Sequence, residues 1–383
     1  MLLEVPVPVK TLSAAVLLTL ACLLVSSPRA TAQTPAVHIE TGTLNGASYR
    51  IDMPAKWNGV LVIYYHGYAE FPVVFDQTKP NPVAEALTGA GYAVAQSGYS
   101  DSGWVVEQAM PQTEALRRYT IAHYGQPKET YVTGHSMGGL LTAATIESYP
   151  SRYDGALALC GLLEPTTWAI ERGAALRAAF DYYYPGLLPG PIDIPDSVEF
   201  DQALVDKVLK ALPANPKGEA ELMALGRFKT AEDLADTMVF GGFIERDMQQ
   251  KIGAPVVDNH NFLYAGGADD NALNDGVKRY TASDAALDYL KTWYTPTGVL
   301  SRPMLAVHTT YDPLIPPESV SVYADLTQRM GSSRFFVQQY VKADGHCQIS
   351  GPQTVSALDE LVQWKRTGVK PGAGVVPEPA AAK

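Results

Sequence analysis

Positive charge, cysteine and long apolar runs are all scarce in this chain, and each shortage excludes something. The formal charge is −11, with no dense Lys/Arg cluster, so a phosphate backbone would be repelled and nucleic acid is excluded as a partner. Only three cysteines occur, at 22, 160 and 347. They stand far apart with no second His/Cys cluster at ligand spacing, which argues against a zinc site. The longest apolar run covers about fifteen residues, short of the roughly 20 a membrane span needs, so no stable membrane association is expected. There is no internal repeat of 20–50 residues and no Asn-x-Ser/Thr acceptor site.

What is there is a 383-residue chain, 46% apolar and 18% charged, able to bury one large core or two smaller ones. Lys10 precedes the run TLSAAVLLTLACLLV, and a small-residue site follows at Ala30-Thr31-Ala32. This reads as a signal peptide over 1–32 with cleavage before Gln33, hence a secreted protein. An uncleaved anchor and lipidation at Cys22 are the alternatives. Removal of that segment leaves Cys160 and Cys347, an even pair that suggests one disulfide in an exported protein; two buried free thiols are the other reading.

Strand and helix signals then alternate. AVHIETG and ASYRIDMP read as a hairpin around a Gly42–Gly46 turn, and GVLVIYYHG (59–67) as a strand covered on both faces. Further strands are expected at 91–98, 130–134, 155–160, 302–309 and 334–341, with helices at 105–124 and 137–149. This is an α/β pattern with a mostly parallel sheet and helices on both faces. Residues 161–296 break the rhythm with Pro, Gly and aromatics, and with helical pieces at 200–211 and 218–225. The expected organisation is therefore a core over 33–160 and 297–366, a cap inserted at 161–296, and a flexible Gly/Pro/Ala-rich tail at 367–383.

Chemistry concentrates at TYVTGHSMGGL. Gly134-His135-Ser136-Met137-Gly138 is G-x-S-x-G between an expected strand and an expected helix, the context in which this motif is a sharp turn that lifts a serine hydroxyl over the strand ends. On these residues the chain resembles the α/β-hydrolase superfamily from about residue 36 to 366, the cap excepted. The resemblance implies an acid after a later strand and a histidine after the last one, which fall on Asp312 in HTTYDPLIP and His346 in ADGHC. Ser136 would attack a carbonyl, His346 would move the proton, and Asp312 would hold the imidazole. The resemblance also implies an oxyanion hole from the backbone N–H groups of Met137 and Tyr68, with Gly67 keeping the approach open.

Other residues compete for these roles. His66 belongs to the oxyanion loop, His135 to the serine turn, and His308 reads as structural, while His260 in the insertion could reach a pocket. Asp258, Asp284 and Asp288 fall outside matching positions, and Asp344 reads as part of a turn. GYSDSGW (98–104) reads equally as a substrate contact or a tight turn with a helix cap. GGADDNALNDG (266–276) lacks the oxygen spacing of a calcium loop, so no metal or cofactor is expected. Trp168 and FDYYYPG read as cap core or as the lining of an aromatic pocket.

An activated serine implies acyl transfer to water, and the reading preferred here is hydrolysis of carboxylic esters, small or polymeric. The aromatic cap hints at aryl or bulky acids such as phenolic or phthalate-type esters. A secreted aminopeptidase of the same fold is the alternative, and a catalytically inactive binding protein a third. In this fold strand ends converge on the active site, which brings both remaining cysteines near it, so a Cys160–Cys347 bridge is expected. His346-Cys347 is also similar to the tannase and fungal feruloyl esterase family, which pairs a cysteine beside its histidine with one beside its serine. Here the residue before Ser136 is His135, so the likeness covers the histidine half.

Overall fold

Strands with an apolar residue at every position can be buried on both faces, and two strands inside the sheet of this protein, Val60–Tyr65 and Gly155–Leu159, are of this kind. The computed structural model describes residues 37–192 and 194–377; the expected signal segment lies outside them. In β3 (Val60–Tyr65) every residue is buried. Leu61, Ile63 and Tyr65 enter one core, while Val60, Val62 and Tyr64 enter the core on the opposite face. The strand's alternation thus divides one apolar run between two layers.

Nine strands form one sheet in the order β1-β2-β4-β3-β5-β6-β7-β8-β9. The others are β1 (His38–Leu44), β2 (Ala47–Met53), β4 (Ala93–Ser97), β5 (Glu129–His135), β6 (Gly155–Leu159), β7 (Met304–Tyr311), β8 (Phe336–Asp344) and β9 (Gly374–Val375). The pairs β1–β2 and β2–β4 are antiparallel and the rest parallel. The hairpin turn is tighter than the sequence suggested. Gly42 pairs with Tyr49 inside the ladder, and the turn is Asn45-Gly46, both at positive φ, the pair that two-residue hairpins favour.

Helices α2 (Val106–Tyr124), α3 (Met137–Ser148) and α10 (Pro317–Arg329) cover the first face, and α1 (Pro82–Gly89) and α11 (Gly351–Thr367) the other. Between β6 and β7 the chain is helical: α4 (Thr166–Tyr183), α5 (Gln202–Ala211), α6 (Pro216–Gly226), α7 (Ala231–Ile252), α8 (Asp270–Gly276) and α9 (Asp284–Thr292). α7 opens on a capping box of Thr230 and Asp233 and stops at Gly253 in the left-handed region. Its apolar residues join the first core with those of α4 and α5.

The tail departs from expectation. Gly374 and Val375 pair with Gln339 and Tyr340 of β8, Gln339 Nε2 donates to the Gly372 carbonyl oxygen at 2.9 Å, and Val376 packs on the second core. Its Gly/Pro-rich composition hid a sheet edge that takes Gly374 and Val375 as a ninth strand.

Candidate active site

Ser136 sits between β5 and α3 at φ 58°, ψ −121°, a backbone state that non-glycine residues occupy only when their surroundings enforce it. Its N–H donates to the Leu159 carbonyl oxygen at 3.0 Å, and its own carbonyl accepts from Gly139 N at 2.8 Å. The flanking glycines are sterically required. A Cβ on Gly134 would lie 2.5 Å from the Gly138 carbonyl oxygen, and one on Gly138 would lie 2.2 Å from that of Tyr65. Gly67 is less crowded, although a Cβ there would still press on the His135 carbonyl oxygen at 3.2 Å and on the Ser136 Cβ at 3.3 Å.

Two loops from distant sequence meet this turn. Asp312, just past β7, is 2% exposed. Its Oδ1 accepts from Leu314 N and Ile315 N, both at 2.9 Å. Its Oδ2 accepts from His346 Nδ1 at 2.7 Å. Because a carboxylate only accepts, Nδ1 carries the proton, which leaves Nε2 free to accept from the Ser136 hydroxyl at 2.9 Å. Burial alone would raise the Asp312 pKa; the hydrogen bond and charge of His346, the Ile315 N–H and the His308 charge outweigh it and hold it below the usual value.

Ser136, His346 and Asp312 are thus brought into one hydrogen-bonded line, and Cys160 and Cys347 lie beside it. They form a disulfide with Cα atoms 5.3 Å apart, and Cys347 Sγ is 3.5 Å from His346 Nε2. Both cysteines have positive φ. The Gly345 N–H adds a tie from the histidine loop to the Tyr311 carbonyl oxygen at 2.9 Å.

The remaining histidines are held elsewhere. His308 is fully buried, donates Nδ1–H to the Thr309 carbonyl oxygen at 3.1 Å, and points Nε2 at Asp312 Oδ2 from 3.8 Å. His66 stacks on Tyr99. His135 meets the Tyr64 hydroxyl at 3.1 Å, and burial, aided by His346, pushes its pKa down to about 4. His260 lies on an exposed turn. Asp258 accepts from backbone N–H groups of His260 and Ala282, Asp284 opens α9, and Asp344 pairs with Lys229 at the surface. The acidic stretch at 266–276 forms α8 from Asp270 onward, with Asp269 capping it and pairing with Lys217.

A cavity of about 690 Å³ opens over Ser136, lined by Tyr68, Met137 and residues of α4, α6 and α7. Tyr68 is gripped by α7: its hydroxyl donates to Asp247 Oδ2 at 2.8 Å, and its ring stands edge-on to Phe240 and Phe243. Within 98–104, Trp104 lines the cavity while Asp101 pairs with Lys251 of α7, so the segment both borders the cavity and ties the insertion down. Trp168 lines the cavity from an exposed position. Tyr184 instead bonds backbone carbonyls at 212 and 215. Sequence reading passed over Arg177 and Glu245, two buried charges in the cavity wall; their signal was a charge inside an otherwise apolar helix face.

The strand order, the strand–serine–helix turn and the acid and histidine after β7 and β8 define the α/β-hydrolase fold, and this chain has it. The particular likeness found among curated proteins is an o-phthalyl amidase of Xanthobacter agilis, 23% identical over 424 aligned positions, covering 88% of this chain and 91% of that protein. No protein-family profile matches the chain. Among solved structures it resembles feruloyl esterase B of Aspergillus oryzae (TM-score 0.47, 15% identity, 86% of this chain and 80% of that one). It also resembles an esterase of Pyrococcus furiosus (TM-score 0.46, 13% identity, 86% and 90%).

Proposed function

We propose that this protein is a serine hydrolase that cleaves carboxylic esters through an acyl-enzyme. The observation that carries the reading is the unbroken line from Asp312 through His346 to Ser136 Oγ, opening into the cavity. Ser136 attacks the carbonyl as His346 takes its proton; Asp312 holds the ring in the required tautomer and stabilises it once charged. The tetrahedral oxyanion is received by the backbone N–H groups of Met137, at the start of α3, and Tyr68. His346 then passes the proton to the leaving alcohol, and water repeats the sequence on the acyl-serine.

The insertion at 161–296 serves as the cap that shapes the pocket. The apolar, aromatic cavity favours an aryl acyl group. Amide hydrolysis is a second reading, favoured by the likeness to the o-phthalyl amidase, since the same machinery serves a leaving amine once it is protonated. A disulfide in the site fits an exported protein, and export is part of this proposal.

The test is labelling with a fluorophosphonate probe, followed by turnover of aryl and alkyl esters, aryl amides and aminoacyl anilides. Wild type should take the probe and hydrolyse aryl esters, and Ser136→Ala should lose about 10⁶ in kcat. Absence of labelling, or a Ser136→Ala variant of undiminished activity, overturns the mechanism; faster turnover of amides than of every ester transfers it to the amidase reading.

A further inference from the structure

Two buried charges of opposite sign line the cavity and do not meet. Arg177 of α4 is 2% exposed. Its Nη2 donates to the Pro189 carbonyl oxygen and lies 3.4 Å from Asp181, while Nε and Nη1 have no partner. Glu245 of α7 is 5% exposed, and its Oε2 has none either. Both residues line the same cavity as Ser136. Arg177 forms its ion pair with Asp181 rather than with Glu245.

The helices are cut away beside this pair. Gly173 stands four residues before Arg177 on α4, and Gly241 four before Glu245 on α7, a spacing that puts each glycine on the face of its charged neighbour. A Cβ at either glycine would meet nothing within 4 Å, and both line the cavity. Glycine is poorly suited to a helix interior, so its use at matching points of two packed helices marks a slot kept open beside the charges.

The sign of the occupant follows from which charge can be switched off. The guanidinium is permanent. Glu245 is not: burial pushes it up to about 7, with Arg177 pulling down and Asp181 pushing up. A cation would face an arginine that cannot neutralise, whereas an anion faces a carboxyl that can take a proton. A carboxylate is also the strongest hydrogen-bond partner for a free guanidinium N–H.

We propose that Arg177 anchors a carboxylate on the substrate's aromatic acyl group, making half-esters or half-amides of aromatic dicarboxylic acids the preferred substrates. The inference rests on the serine-hydrolase reading of the same site and specifies what its cavity selects.

The experiment compares monomethyl esters of the three benzenedicarboxylic acids with methyl benzoate. For at least one isomer kcat/KM should exceed that of methyl benzoate by roughly ten- to hundredfold. Arg177→Met should remove the preference, with kcat/KM falling far more for the half-ester than for methyl benzoate, while Glu245→Gln keeps the preference. An arm without variants guards against misfolding: on wild type, the free dicarboxylates should inhibit methyl benzoate hydrolysis competitively and benzamide should not. Equal turnover of all these esters, a preference that survives Arg177→Met, or inhibition by benzamide as strong as by the dicarboxylates overturns the proposal. So does a preference for aminoacyl esters that is lost in Glu245→Gln. If wild type hydrolyses neither esters nor amides, the serine-hydrolase reading fails; calorimetric titration of the dicarboxylates into wild type and Arg177→Met then decides the anchor separately, with binding lost in the variant supporting it and equal or absent binding refuting it.

Discussion

Ser136 shows how much of a site can rest on one torsion. A residue held at φ 58° costs about 1–3 kcal/mol, offset by the hydrogen bonds and packing of the turn around it. Its neighbour His135 carries a different strain, electrostatic rather than torsional. With a folded pKa of about 4 and an unfolded value near 6.5, it binds fewer protons folded than unfolded between those limits. Its contribution is therefore complete above about pH 6.5 and is lost as pH falls toward 4. His66 and His308, also lowered by burial, act in the same direction. Thermal melts should show Tm falling by a few degrees between pH 7 and 4.5, and His135→Gln should reduce that fall. An unaltered profile would mean that His135 titrates normally in the folded protein.

At the scale of elements, the turn between β5 and α3 depends on backbones approaching with no side chain between. Gly138→Ala would set a methyl 2.2 Å from the Tyr65 carbonyl oxygen, and backbone cannot yield as a side chain would. The expected result is a loss of about 1–3 kcal/mol in denaturant melts together with near-complete loss of hydrolytic turnover. Wild-type stability in that variant would show that the turn has room for the methyl group. This part of the fold was legible in the sequence because strand, motif and helix signals agreed within a dozen residues. The apolar run of β3 was legible for the same reason.

The insertion was not. α4 and α7 are its longest helices, yet Gly173 and the Gly241-Gly242 pair weaken their helical signal, and tertiary packing supplies what propensity lacks. β9 was hidden more completely, since two residues carry no periodicity and only the open edge of β8 makes them a strand. Asp312 and His346 were legible as positions after strands, while the 2.7 Å bond between them is a property of the assembled sheet. Arg177 and Glu245 could be read as residues but not as neighbours.

For the molecule as a whole, the bridge between Cys160 and Cys347 is the longest-range covalent constraint, with a sequence separation of 187. The chain-entropy model assigns such a closure about 5 kcal/mol, strain aside. Intact-mass analysis should find no alkylatable thiol among these two before reduction, and Cys160→Ser with Cys347→Ser should lower the denaturant midpoint. Two free thiols in the native protein would remove the constraint altogether.

The bridge also has a topological consequence. It closes a ring that contains all of α4 to α9, so the helical walls of the cavity belong to a covalent circle, while Tyr68, Trp104, Ser136 and Met137 line it from outside that circle. A protease that nicks the chain at 185–192, just after α4, therefore cannot release either half. The cut protein should run as one band without reductant and as two with it, retaining activity until the circle is opened a second time.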